Sequence, residues 1–364
     1  MVPDHADPLG RLIVQTVALR NIRSYAKLEL ELQPGLVLVV GPNGAGKTNL
    51  LESLHVGTQG FSPRTRTDAQ LVRFGERAGR VALRGRRGET QLELEVTLEA
   101  GRGKRAKLNG GPLRAAELLR AEVSTLVFTP DRLGIVKGAP AVRRAYFDRA
   151  LGRLYPARSS LSAEYGAAVG QRNAALRRVS QGLSSQDAVE PWTEQVAALG
   201  TELVAARRQA LEVLAPAFAR LTGEFRLEPG RLAYEGGPVS REELEARLPK
   251  DLERGTTSLG PHLDDVAILA GERDLRSYGS QGEQRLAVLS LLLAEASVLV
   301  ERGAVPPLLL LDDVLSELDP ERRGTLARVL PEGGQTLITS TSATALPLEP
   351  DQLLEVSPGE VRAA

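Results

Sequence analysis

Cysteine is absent from this 364-residue chain, which also has one methionine, one tryptophan and three histidines. Without cysteine there is no disulfide framework and no thiolate metal site, a composition that suits a reducing compartment. Three histidines leave little from which to build a zinc centre. No apolar run approaches the ~20 residues a membrane-spanning helix needs. No basic, hydrophobic leader opens the sequence, Met1 to Gly10 reading as a short loose extension. The expectation is a cytoplasmic protein with no membrane partner. Formal net charge is also absent, at zero, and neither an internal repeat nor a long low-complexity segment is present.

That zero conceals a polarity along the chain. Residues 62–180 carry 24 Lys and Arg against 11 Asp and Glu, whereas residues 181–364 carry 17 against 30. Such asymmetry points to a polyanion surface on one part of the molecule. Arginine supplies 40 of the 46 cations, and its planar fork suits phosphate. The densest patches, Arg84, Arg86, Arg87 and then Arg102, Lys104, Arg105, Lys107, read as hairpin turns and are the candidate contacts for such a polyanion. Aromatics are only 4% of residues and do not interleave with these patches, which argues against base stacking as the main grip and favours duplex over single strands.

Two distant stretches read as halves of one ATP site. Gly41-Pro42-Asn43-Gly44-Ala45-Gly46-Lys47-Thr48 fits the phosphate-loop pattern, with Asn49 next in the helix behind it. There backbone N–H groups and the helix N-terminus surround phosphates, Lys47 reaches the β- and γ-phosphates, and Thr48 offers a hydroxyl to magnesium. The apolar, β-branched run Leu36–Val40 before it reads as a buried strand, and Thr48–His55 as the following helix. The second half is Leu308–Asp313, an apolar strand ending in two carboxylates. Asp312 is read as holding the metal through its hydration shell, and Asp313 as orienting or deprotonating the attacking water.

Lys47 and Asp312 are 265 positions apart, so the intervening chain is inserted into, or forms part of, one nucleotide-binding domain. Leu12–Leu19, Leu28–Leu32, Val81–Leu83 and Gln91–Leu98 read as strands of a mostly antiparallel sheet beside the phosphate loop. From about Ala141 the character is helical. Trp192, Val196, Leu199, Leu203, Ala206, Ala210, Val213 and Ala217 alternate spacings of four and three, the seam of a coiled coil or helical hairpin, with Pro191 suiting the first turn. Leu161, Tyr165, Ala168, Arg172 and Leu176 offer a partner stripe. Strand-like runs return at Val266–Leu269 and Leu308–Leu311. The expected fold is α/β, a P-loop head built from both chain ends with an inserted, mainly helical lobe: residues 1–125 and 253–364 for the ATPase lobe, 126–252 for the insertion.

Ser277-Tyr-Gly-Ser-Gln-Gly-Glu-Gln-Arg285, followed by the apolar run Leu286–Val300, resembles the signature loop of ATP-binding-cassette ATPases, with Ser280 and Gly282 at its serine and second glycine. A serine hydroxyl, glycine N–H groups and a helix N-terminus together suit an anion. The resemblance implies that this turn closes on the γ-phosphate held by a second copy, so that the active unit is an ATP-dependent homodimer.

Further blocks sharpen the likeness. Leu19-Arg-Asn-Ile-Arg-Ser-Tyr25 is similar to the opening strand and turn of RecF and SMC heads. Pro130-Asp131, Ile135-Val136, Gly138-Ala139-Pro140, Arg143-Arg144 and Tyr146-Phe147-Asp148 resemble the central motif of the RecF family of bacterial recombinational repair proteins. Thr257–Asp265 resembles its Gly-Pro-His-Arg-Asp-Asp block, with Leu263 in place of arginine, and Asp312–Asp319 its Asp-Asp-Val-Leu-Ser-Glu-Leu-Asp. Phe147 replaces an aliphatic residue. No switch histidine of the transporter type follows Thr336–Thr339, where the chain reads Ser340-Thr341.

The family resemblance implies a slow ATPase using ATP and Mg2+, binding DNA at the junctions of gaps, and cooperating with the RecO and RecR mediators to load RecA. It places Arg23 near the phosphates, and Ser316 and Asp319 at the dimer interface. His262 fits either the nucleotide pocket or a core position with both ring nitrogens satisfied. An ATPase subunit of a transporter and a non-catalytic ATP-binding scaffold are the alternatives.

Overall fold

The computed structural model describes residues 12–65 and 67–364. Two compact units emerge, one ending at Arg132 and completed by Leu292–Ala364, the other Leu133–Leu291.

The first unit holds two six-stranded sheets. One is antiparallel: Leu12–Ile22 lies between Tyr25–Glu31 and Ala78–Arg87, and Thr90–Glu99, Gly103–Leu108 and Gly111–Leu113 extend it outward. Its strands alternate buried and exposed positions, as a sheet with one wet face requires. The other sheet runs Glu360–Ala363, Gln352–Ser357, Gly35–Val40, Gln335–Ser340, Leu308–Leu311, Thr125–Phe128, parallel except at the Glu360–Ala363 edge. Leu308–Leu311 and Thr125–Phe128 are buried at every position, the continuous apolar pattern of a parallel sheet covered on both faces. Strands from both chain ends are therefore interleaved in one sheet, and this brings the phosphate loop and Asp312 together despite their separation in sequence.

The helix behind the phosphate loop, Lys47–Gln59, is buried nearly all round. Its polar side chains have partners: His55 Nδ1 meets Phe61 O at 2.9 Å, and Gln59 Nε2 donates to Val123 O at 2.7 Å. Buried polar groups left unpaired would each cost about 1–3 kcal/mol. Leu50, Leu51 and Leu54 are at most 1% exposed, each worth roughly 1.5–3 kcal/mol of apolar burial.

In the second unit, Leu161–Ser180 packs on the long helix Glu190–Glu224, which Pro191 opens in its first turn. Val196, Leu203, Ala206, Ala210 and Ala217 of the expected seam are buried, whereas Leu199 and Val213 are half-buried. The buried stripe also contains Arg207.

The boundary at 252 needs correction, and with it the assignment of Val266–Leu269 to the ATPase core. Asp265–Ala270 instead pairs antiparallel with Gly230–Glu235, in a three-stranded sheet of the second unit. Side chains of the lobe's helices tie down residues 251–265. Arg172 donates to Asp251 Oδ2 (2.7 Å) and Thr257 Oγ1 (2.9 Å), Arg143 forks onto Asp265, and Arg207 reaches Pro261 O at 2.7 Å. Ser280 and Gly282 thus lie in the second unit, and the division falls inside the helix Gln281–Glu301. Periodicity could not reveal these side-chain ties.

Candidate nucleotide site

Gly35–Val40 delivers the chain to Gly41, and the helix begins at Lys47. Gly46 sits at φ +119°, in the left-handed region that favours glycine, and a Cβ there would come within 3.0 Å of Ser24 Oγ and Tyr25 Oη. The Ser24-Tyr25 hairpin turn braces the loop from outside. Tyr25 Oη donates to Gly46 O at 3.0 Å and Asn49 Nδ2 donates to Ser24 Oγ at 3.0 Å. Burial pushes the Tyr25 phenol up to about 12, so it acts as a neutral donor. Lys47 Nζ donates to Gly41 O (2.7 Å) and Pro42 O (3.0 Å). Burial lowers the pKa of its ammonium, against the pull of the Asp313 and Asp312 charges.

Asp312 ends its strand in a cluster of hydroxyls. Thr48 Oγ1 donates to Asp312 Oδ1 at 3.0 Å and Thr339 Oγ1 to the same oxygen at 2.9 Å. Burial raises the carboxyl's pKa, and the two hydroxyls oppose that shift. No ion pair to Asp312 occurs within 4.0 Å among the described residues. A buried carboxylate beside a phosphate-loop threonine, bonded to hydroxyls and in no ion pair within 4.0 Å, fits a divalent ion. Asp313 adopts φ +52° and is exposed; its backbone N–H donates to Thr339 Oγ1 at 2.7 Å. Thr339 thus fixes both carboxylate residues at once. Its role was hidden in sequence because the link arises only when Gln335–Ser340 and Leu308–Leu311 lie side by side.

Arg23, expected near the phosphates, lies beside the phosphate loop. Its fork is committed to Glu52, Nε to Oε2 at 2.8 Å and Nη2 to Oε1 at 2.9 Å, and Glu52 also accepts from Ser62 Oγ at 2.5 Å. Glu52 is 2% exposed, so the pair locks the hairpin turn to the phosphate-loop helix. Arg64, which the sequence reading passed over, lies near enough for its charge to act on Asp312. Arg23, Ser24, Asn49, Arg64, Arg73 and the fully exposed Phe74 line an open cavity of about 630 Å³ beside the loop.

In the second unit, Ser280 caps the helix Gln281–Glu301 through a reciprocal pair: Glu283 N–H donates to Ser280 Oγ at 3.2 Å, and Ser280 N–H to Glu283 Oε2 at 2.8 Å. Ser280, Gln281 and Gly282 are exposed, and a Cβ on Gly282 would meet nothing within 4 Å. Ser316 Oγ donates to Asp313 O at 2.9 Å and Asp319 caps the helix Pro320–Val329; both residues are exposed.

Two expectations shrink. Arg84, Arg86 and Arg87 lie on the strand Ala78–Arg87, and Lys104, Arg105 and Lys107 on Gly103–Leu108, rather than on hairpin turns. Most face glutamates of the strand between them: Arg84–Glu93 at 2.9 Å, Lys107–Glu95 at 3.6 Å, Arg105–Glu99, with Arg102–Glu99 at 3.8 Å from the adjoining turn. Lys104 pairs with Glu117 at 2.6 Å and Arg87 with Glu122 at 3.4 Å. Arg86 alone of the seven has no ion pair among the described residues. His262 is half-buried in the second unit, with both ring nitrogens engaged. Its Nε2 meets Thr257 O at 3.1 Å and its Nδ1 meets Tyr165 Oη at 2.8 Å. A carbonyl only accepts, so Nε2 carries the proton and the tyrosine donates to Nδ1. Burial lowers the imidazole's pKa below 6.5.

Comparison with known proteins agrees with this geometry. The family model for the RecF/RecN/SMC N terminal domain matches residues 13–361. The DNA replication and repair protein RecF of Heliobacterium modesticaldum is 37% identical over 93% of this chain and 95% of its own. A solved structure of the recombination mediator protein RecF with ATP, in the RecFOR pathway, superposes with a TM-score of 0.88 at 29% identity, covering all of both chains. An Smc head domain from Pyrococcus furiosus shares the fold at TM-score 0.60 and 18% identity, over 97% of this chain and 96% of its own. The phosphate loop, the Asp312 cluster and the capping turn thus sit on an SMC-like ATPase head, and the chain belongs to the RecF family.

Proposed function

We propose that this protein is an ATP-operated homodimeric clamp on DNA that serves recombinational repair and hydrolyses ATP slowly. The observation that carries the reading is the exposed Ser280–Gly282 turn at a helix N-terminus, in a chain that also holds a phosphate loop and a buried Asp312 with no ion pair among the described residues. A helix N-terminus open to solvent suits the γ-phosphate of an ATP held by a second copy. Lys47, Thr48 and the loop N–H groups from Gly41 to Gly46 hold the triphosphate, with Asn49 fixing the loop through Ser24. Thr48 and Asp312 hold magnesium, which when bound neutralises charge on the β- and γ-phosphate oxygens. Asp313 orients the attacking water and takes up its proton. Its carboxylate is one methylene shorter than glutamate, which suits a timed clamp better than a motor. Ser316 and Asp319 cross the interface. Arg23 holds the turn to Glu52 beside the loop, within reach of the triphosphate.

Closing two copies brings two sets of arginines onto one duplex. Arg86 meets phosphate first, while Arg84, Arg87, Arg102, Lys104, Arg105 and Lys107 must exchange glutamates for phosphates. Exposed ion pairs are worth only about 0–1 kcal/mol each, so the exchange costs little, and the affinity is sequence-independent and salt-sensitive. The RecFOR pathway named for the solved relative supports RecO and RecR as partners; gapped DNA as the target and RecA as the recombinase loaded complete the proposal. Dimer fraction and duplex affinity, measured with and without Mg·ATP across a salt series, test the reading; equal duplex binding without nucleotide rejects the switch.

A further inference from the structure

Strand pairing sets three polar side chains in one row across the edge of the parallel sheet nearest the phosphate loop. Leu311 pairs with Ile338 on one side and with Phe128 on the other. One residue further on, Asp312 N–H donates to Phe128 O at 2.9 Å, the parallel-ladder bond that sets Thr129 opposite Asp312. Asp312 therefore stands between Thr339 and Thr129, and directly paired residues share a face of the sheet. Asp312, Thr339 and Thr129 are 4%, 1% and 3% exposed.

Two members of this row are satisfied. Thr339 Oγ1 donates to Asp312 and accepts from Asp313 N–H, and Asp312 Oδ1 accepts from Thr339 and Thr48. Thr129 Oγ1 is buried with no hydrogen-bond partner among the described residues. Its backbone is engaged, since Thr129 O accepts from Arg132 N–H at 2.9 Å, so the side chain alone is left over. An unpaired buried hydroxyl costs about 1–3 kcal/mol, and valine has the same shape without that cost. A residue kept only for packing would not need the hydroxyl. With strands about 4.8 Å apart, the order Gly35–Val40, Gln335–Ser340, Leu308–Leu311, Thr125–Phe128 puts Thr129 on the side of Asp312 away from the phosphate loop. Lys47 of the phosphate loop is the group suited to the β- and γ-phosphates, and Asp312, bonded to the neighbouring Thr48, separates that end of the site from Thr129.

We propose that Thr129 is a positioning residue of the hydrolytic site, its hydroxyl held to bind a water at the γ-phosphate end of bound Mg·ATP, where it mirrors Thr339 across Asp312. This inference rests on reading Lys47, Thr48 and Asp312 as the Mg·ATP site. Thr129 does not touch the triphosphate; it holds a water that Asp313 and the metal site use.

The test compares the full-length protein with its Thr129→Val and Thr129→Ser variants. It measures thermal unfolding without nucleotide, dissociation constants for Mg·ATP and for ATP in EDTA, and kcat against KM. Thr129→Val should unfold at the wild-type temperature or above it without nucleotide. It should bind Mg·ATP about three- to tenfold more weakly, the worth of one hydrogen bond, bind ATP in EDTA as wild type does, and lose kcat; Thr129→Ser should restore both affinity and turnover. Wild-type affinity for Mg·ATP in Thr129→Val, or a lower unfolding temperature without nucleotide, overturns this inference alone. Failure of the wild-type protein to bind Mg·ATP overturns the nucleotide-site reading and this inference with it.

Discussion

Arg172 and Asp251 form an ion pair at 2.7 Å with both side chains 0% exposed. Arg172 also donates to Thr193 Oγ1 at 3.0 Å, Thr257 Oγ1 at 2.9 Å and Leu244 O at 3.3 Å, while Asp251 Oδ1 takes the Ser258 N–H and hydroxyl. Replacing Arg172 by methionine keeps most of the volume but leaves a buried carboxylate without its cation, a loss worth about 3–5 kcal/mol. In a unit of this size that lowers the midpoint by roughly 6–20 °C. Trp192, the only tryptophan, packs against Leu176 and Val189 in the same unit, so its fluorescence during urea or thermal unfolding reports this site. The double variant Arg172→Met, Asp251→Leu removes both charges and should stand closer to wild type than Arg172→Met alone. A single variant within about 1 kcal/mol of wild type, too small for a stranded buried charge, would refute the reasoning. So would a double variant whose losses simply add.

Other outcomes follow from the same geometry. Gly46→Ala should abolish nucleotide-induced stabilisation in a thermal shift, because the new Cβ meets Ser24 and Tyr25 and the φ of +119° is strained; a normal shift would contradict the bracing role of that turn. Thr339→Val should destabilise by about 1–3 kcal/mol, since Asp313 N–H loses its acceptor, and should abolish turnover in a phosphate-release assay. Asp313→Asn should keep Mg·ATP binding and dimerisation in sedimentation while stopping phosphate release; loss of the dimer would count against the assigned role. For His262, burial holds the folded pKa below the ordinary 6.5, so the unfolded chain binds the proton first. Its contribution to stability is present above about pH 6.5 and declines as pH falls through that value, and a His262→Gln variant should lack that share of the decline in urea melts between pH 7.5 and 5.

Much of the framework was legible because it depends on local pattern. Leu36–Val40, the glycines after it and Thr48–His55 gave strand, loop and helix in the right order, and the four-and-three spacing from Trp192 to Ala217 gave the long helix. What escaped depends on neighbours distant in sequence. The basic patches read as free surface because their glutamates lie on adjacent strands, and cross-strand pairing is set by register. Arg23 carried no sign of Glu52. Thr257–Asp265 stood out as a motif, but its residues serve to tie the second unit together, as Arg172, Arg207 and Tyr165 make plain. Thr339, near the end of Gln335–Ser340, and Thr129, just after Thr125–Phe128, look like ordinary strand residues until the sheet order sets them on either side of Asp312.

The most direct test of the composite site mixes two disabled proteins, Lys47→Ala, which keeps Ser280 but cannot hold triphosphate, and Ser280→Arg, which holds triphosphate but cannot cap it. Each alone should sediment as a monomer with Mg·ATP. Together they restore one intact site, so a tagged Lys47→Ala should capture Ser280→Arg in the presence of Mg·ATP and release it when nucleotide is withdrawn. Capture that ignores nucleotide, or no capture although Ser280→Arg binds Mg·ATP normally, would contradict the account.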